Sequence, residues 1–294
     1  MHKVKSFFKF LIHSNIFISI AAVCFTMANA LLLYIEVDHI LLLLVHIFFS
    51  TWFIYQFSRL LYQQKMNEKN TEDDIYYYQI KHQKITKITT ALSLIISGIT
   101  FLFLKFPTQV AIVFSGFLSV VYALPLDKIG IKKRLRDIPF VKIFLIAITW
   151  TITAVLLPIL ETNTYPDLFV RRVVLLFSIQ FIYLLFITLP FDINDIERDV
   201  ANQTKTIATT LGARKSQMLC VALFLIDSYL LYIFRVSTEI HIFFNLLLIS
   251  LIAISVYSSH KISKTWIMFF YDGSMIAYFI GIFVLMTLET RAYL

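Results

Sequence analysis

Nine long apolar segments divide this sequence, and they restrict it to one class of fold. A helix needs about 20 apolar residues to cross roughly 30 Å of hydrocarbon. The segments that reach this length are about 15–35, 39–58, 85–104, 108–125, 139–160, 168–190, 217–235, 241–259 and 265–289. The chain is 59% hydrophobic and 15% charged, with a mean hydropathy of +0.79, which is outside the range of soluble domains. We therefore expect an all-α, polytopic membrane protein with nine transmembrane helices, and a single domain over residues 1–294.

The basic residues are distributed in a way that supports nine spans. Lys and Arg accumulate in short cytoplasmic loops. If the N-terminus is cytoplasmic, 21 of the 26 lysines and arginines fall on the cytoplasmic side. A missed or extra helix would scramble this alternation. The pattern predicts a cytoplasmic N-terminus and an outside C-terminus, in the cell (inner) membrane, with the acidic and basic loops on the cytoplasmic face.

Several function classes are disfavoured by the same sequence. The formal net charge of +8 is spread over short loops rather than gathered on one surface, so we expect no nucleic-acid partner. Cys24 and Cys220 lie in predicted spans and form no CxxC pair. The sequence contains no serine-hydrolase, dinucleotide-binding or HExxH zinc signature.

Three aspartates follow directly after the sixth apolar segment, in "LPFDINDIERDVANQTKTIATTLG". On a continuing helix, the spacing of Asp192, Asp195 and Asp199 places their carboxylates within about 60° of one another. In one interpretation they lie on a solvated helix end, where Arg198, Lys205 and Arg214 offset their charge. In the other they bind Mg²⁺, which prefers hard oxygen ligands and is commonly held by one or two carboxylates plus substrate phosphate oxygens. The spacing and location favour the second.

This stretch resembles the second aspartate-rich motif of the UbiA superfamily of intramembrane prenyltransferases. The matching residues are Asp192, Asp195, Asp199, Thr206 and Leu211-Gly212. The segment "VYALPLDKIGIKKRLRDIPFVKIFLIAITW" is similar to the family's Tyr-x-x-Pro stretch and the Pro-x-x-Lys opening of its fifth helix. There the matching residues are Tyr122, Pro125, Lys128, Pro139 and Lys142. Nine helices with cytoplasmic acidic loops are also typical of the family.

The resemblance implies an enzyme that transfers a polyprenyl group from a polyprenyl diphosphate to an aromatic or other lipophilic acceptor. It implies that Mg²⁺ is the cofactor and that Asp192, Asp195 and Asp199 are the catalytic metal ligands. Loop cations would neutralise the diphosphate oxygens, and Lys128 and Lys142 are the candidates because they match the family pattern. For any single basic residue in this loop, a role in topology alone is the competing interpretation.

The sequence departs from the family at its first motif, Asn-x-x-x-Asp-x-x-x-Asp, which ends the second helix. This chain reads "TWFIYQFSRLLYQQKMNEKNTEDD" there, with Gln56 near the Asn position and Arg59 near the first Asp position. Arg59 would then bind the diphosphate directly, as a bidentate guanidinium does. Alternatively, the acids at 68 and 72–74 fold back as substitute ligands, or the chain keeps the fold and lipid pocket without the chemistry.

Two alternative functions therefore remain open. One is a catalytically degenerate relative that binds an isoprenoid or a partner without turnover. The other is an unrelated transporter or channel, although the acids cluster at a loop rather than at mid-membrane on broken helices. Gln56, Tyr122 and Asp272 are further candidates for lining the active cavity. Alternatively, Asp272 lies at an interface between helices. Asp227 and His46 are interpreted as structural groups.

Overall fold

Every regular element of the described chain is a helix. The computed structural model describes residues 2–63, 78, 81–123, 141–162, 167–201, 204–257 and 263–292. In this part of the chain the helices are α1 His2–His13, α2 Ile16–Leu32, α3 Leu41–Gln63, α4 Gln83–Leu102, α5 Phe106–Ala123, α6 Val141–Thr151, α7 Leu157–Thr162, α8 Asp167–Asn194, α9 Ile196–Ala201, α10 Ile207–Leu211, α11 Ala213–Phe234, α12 Thr238–Tyr257 and α13 Lys264–Ala292. A 3₁₀ turn, Val37–Ile40, precedes α3, and a π-helical turn, Ile152–Leu156, joins α6 to α7.

A helix lies at each of the nine apolar segments, but the helices are not equally long. Seven are long and apolar enough to cross a membrane, among the residues that the structure describes. The bent pair α1 and α2 passes the same test when taken together, and α5 contributes a shorter apolar stretch, Phe106–Val120. The all-helical, multi-pass membrane fold is thus confirmed. The count of nine spans and the side of the N-terminus stay predictions.

The first two helices meet at a sharp bend of 78°. Asn15 makes the bend with φ 63° and ψ 8°, a left-handed conformation that Asn tolerates better than most residues. The middle of α3 is fastened to this bend, because the Trp52 indole donates a hydrogen bond of 2.8 Å to the Ser14 carbonyl. The bend therefore helps to fix the position of α3 relative to α2.

The C-terminal end of helix α8 leads into the three aspartates. Pro190 lies inside it and has no N–H to donate, yet the helical turn continues beyond it. The Asp195 amide donates to the Phe191 carbonyl at 3.0 Å, and the Asp199 amide donates to the Asp195 carbonyl at 2.8 Å. The three aspartates therefore lie on almost continuous helical backbone through α8 and α9.

The bundle packs α8 between α6 and α11, while α13 packs on α2 and α3 packs on α4. Its centre holds large, fully buried side chains, which are Phe25, Tyr183, Phe244, Tyr271 and Tyr278. Many large apolar residues point outward instead, including Leu102, Phe103 and Phe106, all more than two-thirds exposed. An apolar exterior of this kind suits a bundle surrounded by lipid.

Candidate active site at the aspartate end

The three aspartates lie at one end of the bundle, which we call the aspartate end. Asp192 is in the last turn of α8, Asp195 is at the junction with α9, and Asp199 is in α9. Asp192 and Asp199 are buried, with 2% and 8% of their surface exposed. Buried carboxylates need charged or hydrogen-bonding partners, so their neighbours decide what this end of the protein does.

Lys142 provides the partner of Asp192. Its ammonium nitrogen lies 2.6 Å from Asp192 Oδ1, which makes a short, charge-assisted hydrogen bond. Lys142 is in the first turn of α6, the helix that packs on α8. The structure therefore brings together an aspartate and a lysine that the family resemblance implies for one site, although they are 50 residues apart.

Asp195 is paired with two cations. The Arg198 guanidinium, one turn further along, lies 2.5 Å from Asp195 Oδ2, and Lys264 Nζ lies 3.8 Å from the same oxygen. Lys264 begins α13 and was not identified as a site residue from the sequence. Only the bias of basic residues to one side pointed to it, and that bias does not say which carboxylate a lysine reaches.

Asp199 completes the group of carboxylates. Burial raises the pKa of Asp199 above its ordinary value, and repulsion from Asp195 and Asp192 adds to this, while Lys142 acts in the opposite direction. Its buried Oδ2 has no hydrogen-bond partner among the described residues. The carboxylates therefore repel one another, and one of them still has an oxygen to offer to a ligand.

A second polar cluster surrounds Arg59 in the penultimate turn of α3. Arg59 donates to the His13 carbonyl at 3.2 Å, and its charge acts favourably on the buried carboxyl of Asp272. Gln56, one turn earlier, accepts hydrogen bonds from Thr89 at 3.1 Å and Thr90 at 2.8 Å. Gln56 therefore joins α3 to α4, whether or not it also lines a cavity.

Helix α13 connects the two clusters. Its first residue, Lys264, reaches Asp195, and its second, Thr265, lies 3.2 Å from His13 Nε2. Asp272 follows two turns later, on the helix that packs against α2. Arg59 and Asp272 thus lie within electrostatic reach of one another, and nothing in the sequence spacing linked His13 or Thr265 to them.

Other candidate residues lie beyond what the structure describes. Lys128 is outside the described residues, as are Pro125, Pro139, Glu68 and the acids at 72–74. Tyr122 lies in the last turn of α5, where only the backbone is described. Their assignment to the site stays a prediction.

The chain after the aspartates is held by a helix cap. The Thr206 hydroxyl accepts from the Thr209 amide at 3.2 Å, and the Thr209 hydroxyl accepts from the Thr206 amide at 2.8 Å, a reciprocal capping box. Gly212 then turns the chain into α11 with φ 79° and ψ 163°, a conformation that is essentially restricted to glycine. These features place the Thr and Leu-Gly of the motif in a compact turn next to the aspartates.

The carboxylate oxygens at the aspartate end suit a magnesium ion whose other ligands come from a substrate and from water. Among the described residues, no three His, Cys, Asp or Glu side chains are arranged so that they could hold a metal ion by themselves. Mg²⁺ commonly needs only one or two protein carboxylates when phosphate oxygens and water supply the other ligands. Hard carboxylate oxygens that repel one another, with Asp199 Oδ2 unpartnered, fit that mode of binding.

Comparison with known proteins identifies the fold. No protein-family profile and no curated protein sequence matches this chain. Among solved structures, the apo structure of a UbiA homologue from Aeropyrum pernix K1 superposes with a TM-score of 0.68, over 92% of this chain and 98% of that one, at 11% identity. The structure of a UbiA homologue from Archaeoglobus fulgidus bound to GPP and Mg²⁺ gives a TM-score of 0.62 over 94% and 99%, at 14% identity.

This chain has the UbiA fold. A structure from work on digeranylgeranylglyceryl phosphate synthase in membranes agrees, with a TM-score of 0.57 over 96% of this chain and 99% of that one, at 16% identity. The near-complete coverage means that the UbiA fold accounts for the whole bundle rather than for a part of it. The resemblance drawn from the aspartate motif is thus confirmed at the level of the fold, whereas the chemistry must be argued from the residues.

Proposed function

We propose that this protein is an intramembrane prenyltransferase that moves a polyprenyl group from a polyprenyl diphosphate to an aromatic or other lipophilic acceptor. The observation that carries this proposal is the gathering of Asp192, Asp195 and Asp199 with Lys142 and Lys264 at one end of a UbiA-fold bundle. Carboxylates for a metal and cations for a phosphate are both needed to bind a diphosphate. We take residues 1–294 as one domain and place the aspartate end at the cytoplasmic face of the cell membrane.

Bound ligands in proteins of the same fold support the substrate class. Structures of the Archaeoglobus fulgidus homologue are bound to GPP and Mg²⁺ and to DMAPP and Mg²⁺. Both organic ligands are prenyl diphosphates. By extension to this chain, the prenyl tail would lie among the apolar helices and the diphosphate at the aspartate end.

In this proposal Asp192, Asp195 and Asp199 would hold Mg²⁺, which would supply positive charge to the leaving diphosphate. Lys142 and Lys128 bind diphosphate oxygens directly, and Lys264 joins them through its contact with Asp195. The allylic carbon–oxygen bond breaks, a bond to the acceptor forms, and the acceptor loses a proton. The protein contributes positioning and fixed charge rather than covalent chemistry.

Arg59 takes the place of the missing carboxylates of the first motif. A guanidinium presents paired donors that match two phosphate oxygens, and Arg59 is anchored at the bend by the His13 carbonyl. Asp272, in α13, offsets the positive charge of Arg59. The proposal is therefore a site with one metal-binding cluster and one arginine, in place of two metal-binding clusters.

A transfer assay tests the proposal. Membranes that contain the protein are incubated with radiolabelled geranyl diphosphate, Mg²⁺ and a total lipid extract as the source of acceptor, and label is measured in the neutral lipid fraction. We expect Mg²⁺-dependent incorporation that Asp195→Asn lowers by at least about 100-fold, by analogy with the loss of one key electrostatic group. Asp38→Asn removes an exposed carboxylate outside the site and serves as the matched control.

The absence of the first motif favours one other candidate, a relative that binds a prenyl diphosphate without turning it over. Asp192 and Asp195 already have cationic partners, which is what a site without a metal would need. This candidate predicts saturable binding of the diphosphate with no labelled product from any lipid extract. Labelled product that depends on Asp195 would exclude it.

A further inference from the structure

A buried polar layer crosses the bundle far from the aspartate end. Asp227 in α11 is fully buried, and so are Gln180 in α8, Tyr278 in α13 and Asn29 in α2. Each lies about 13 or 14 residues from the end of its helix at the aspartate end. A helical rise of about 1.5 Å per residue places all four about 20 Å from that end.

Hydrogen bonds and ring contacts tie this layer together. Gln180 Nε2 donates to the Tyr278 hydroxyl at 2.9 Å, and Asp227 lies within electrostatic reach of both Tyr278 and Tyr183. The Phe25 ring, one turn before Asn29, contacts the rings of Tyr183 at 5.6 Å and Tyr278 at 6.1 Å. Four helices therefore carry buried polar groups at about the same depth, and the Phe25 ring of α2 packs against the tyrosines of α8 and α13.

The polar atoms that lack partners in this layer are all acceptors. Both carboxyl oxygens of Asp227, Oε1 of Gln180 and Oδ1 of Asn29 are buried and accept no hydrogen bond from any described residue. The Tyr278 hydroxyl accepts from Gln180 and lies within hydrogen-bonding distance of none of these four oxygens. The Ser274 hydroxyl donates to the Tyr271 carbonyl at 2.6 Å, so the Tyr183 hydroxyl donates to Ser274 at 2.5 Å. An occupant of this layer must therefore supply positive charge or hydrogen-bond donors.

Charge and size limit that occupant. Asp227 is the one acid of the layer, and an unpaired carboxylate at this depth is costly. A single positive charge neutralises it, whereas a divalent ion would leave one charge in excess. The rings of Phe25, Tyr183, Phe244 and Tyr278 pack with centroids 5.2 to 6.1 Å apart, which is too close to admit an organic cation between them.

We propose that Asp227, with Gln180, Tyr278 and Asn29, forms a binding site for a monovalent metal cation inside the bundle. The ligands are the carboxylate, two amide oxygens and the tyrosine hydroxyl oxygen, all hard oxygen donors. The cation joins α2, α8, α11 and α13, so binding it stabilises the fold. The site is separate from the aspartate end, and the proposal stands whether or not the protein is a prenyltransferase.

The test is the thermal stability of the purified protein in a cation series. LiCl, NaCl, KCl and MgCl₂ are each titrated against N-methyl-D-glucamine chloride at constant ionic strength, and Tm is recorded. We expect a saturable rise with at least one alkali cation, about 2–3 °C at ten times Kd. Asp227→Asn should remove the rise, and Tyr278→Phe should weaken the apparent affinity about tenfold, the effect of one lost ligand.

Asp38→Asn, which removes an exposed carboxylate by the same substitution, should leave the full response. If the wild-type protein is equally stable in N-methyl-D-glucamine and in every alkali cation, the proposal is wrong and Asp227 is held as a neutral acid. An alkali response that persists in Asp227→Asn would also overturn it, because the ion would then bind elsewhere. The wild-type series decides the question even if Asp227→Asn cannot be purified.

Discussion

At the scale of single residues, the two side chains of the Lys142–Asp192 ion pair are unequally buried. The Asp192 side chain is 2% exposed, whereas the Lys142 side chain is 23% exposed. A lysine that loses its partner can extend its ammonium toward water, but a buried carboxylate cannot move in this way. Removing Lys142 and removing Asp192 should therefore lower the free energy of unfolding by different amounts.

Lys142→Met leaves Asp192 buried without its cation, and we expect it to lower the free energy of unfolding by about 3 kcal/mol. Asp192→Asn should cost clearly less, because Lys142 can reach solvent. The double variant should recover most of the loss of Lys142→Met. Thermal or denaturant unfolding in detergent measures all three. Equal losses for the two single variants would contradict the unequal burial.

Gln56 provides a second test at this scale. Its side-chain oxygen accepts hydrogen bonds from Thr89 and Thr90 on the neighbouring helix. Gln56→Leu removes both, and we expect a loss of about 1–2 kcal/mol in the free energy of unfolding. Gln83→Leu makes the same substitution at an exposed position of α4 and should change stability by less than about 0.5 kcal/mol. A loss no larger than that of the control would show that these bonds contribute nothing.

The sequence predicted which residues carry charge at the site better than it predicted their partners. Asp192 and Lys142 were both identified from motifs, and the structure brings them together. Lys264 was missed because its approach to Asp195 depends on how α13 packs, and no local pattern encodes this. Asp227 was interpreted as a satisfied structural group, yet its carboxyl has no partner among the described residues.

At the scale of helices, α12 and α13 approach closely at one glycine. A Cβ on Gly281 would lie 2.2 Å from the Phe243 ring, whereas a Cβ on Gly98 in α4 would have no atom within 4 Å. Gly281→Ala should therefore force Phe243 to shift, which costs about 1–3 kcal/mol. Gly98→Ala should instead stabilise by about 0.5–1 kcal/mol, since alanine favours a helix. A stabilising Gly281→Ala in unfolding experiments would contradict the close packing.

The apolar segments of the sequence predicted approximately where the helices lie. They did not predict the breaks within the helices. The predicted span at about 139–160 corresponds to α6, a π-helical turn and α7, and the aspartate stretch corresponds to the end of α8 and all of α9 and α10. A π turn changes the hydrogen-bonding partner from i+4 to i+5 within an uninterrupted apolar run, so a hydropathy average over the run does not reveal it. Hydropathy therefore located the helices without showing where their hydrogen bonding changes.

At the scale of the whole molecule, the fold was predictable and the chemistry only partly so. Long apolar segments and the bias of basic residues sufficed for an all-helical membrane bundle, because a chain in hydrocarbon must satisfy its backbone internally. Sequence identities of 11 to 16% with structures of the same fold do not carry the activity over. The activity depends on whether the aspartate end binds a diphosphate when Arg59 stands near the place of the first motif.

Equilibrium binding of radiolabelled geranyl diphosphate to the purified protein, with and without Mg²⁺, tests this claim most directly. We expect saturable binding that requires Mg²⁺, is lost in Asp195→Ala, is weakened about tenfold or more in Arg59→Ala, and is unchanged in Asp38→Asn. Binding by the wild type that ignores both Mg²⁺ and Asp195→Ala, or no binding under any of these conditions, would contradict the assignment of the aspartate end as a prenyl diphosphate site.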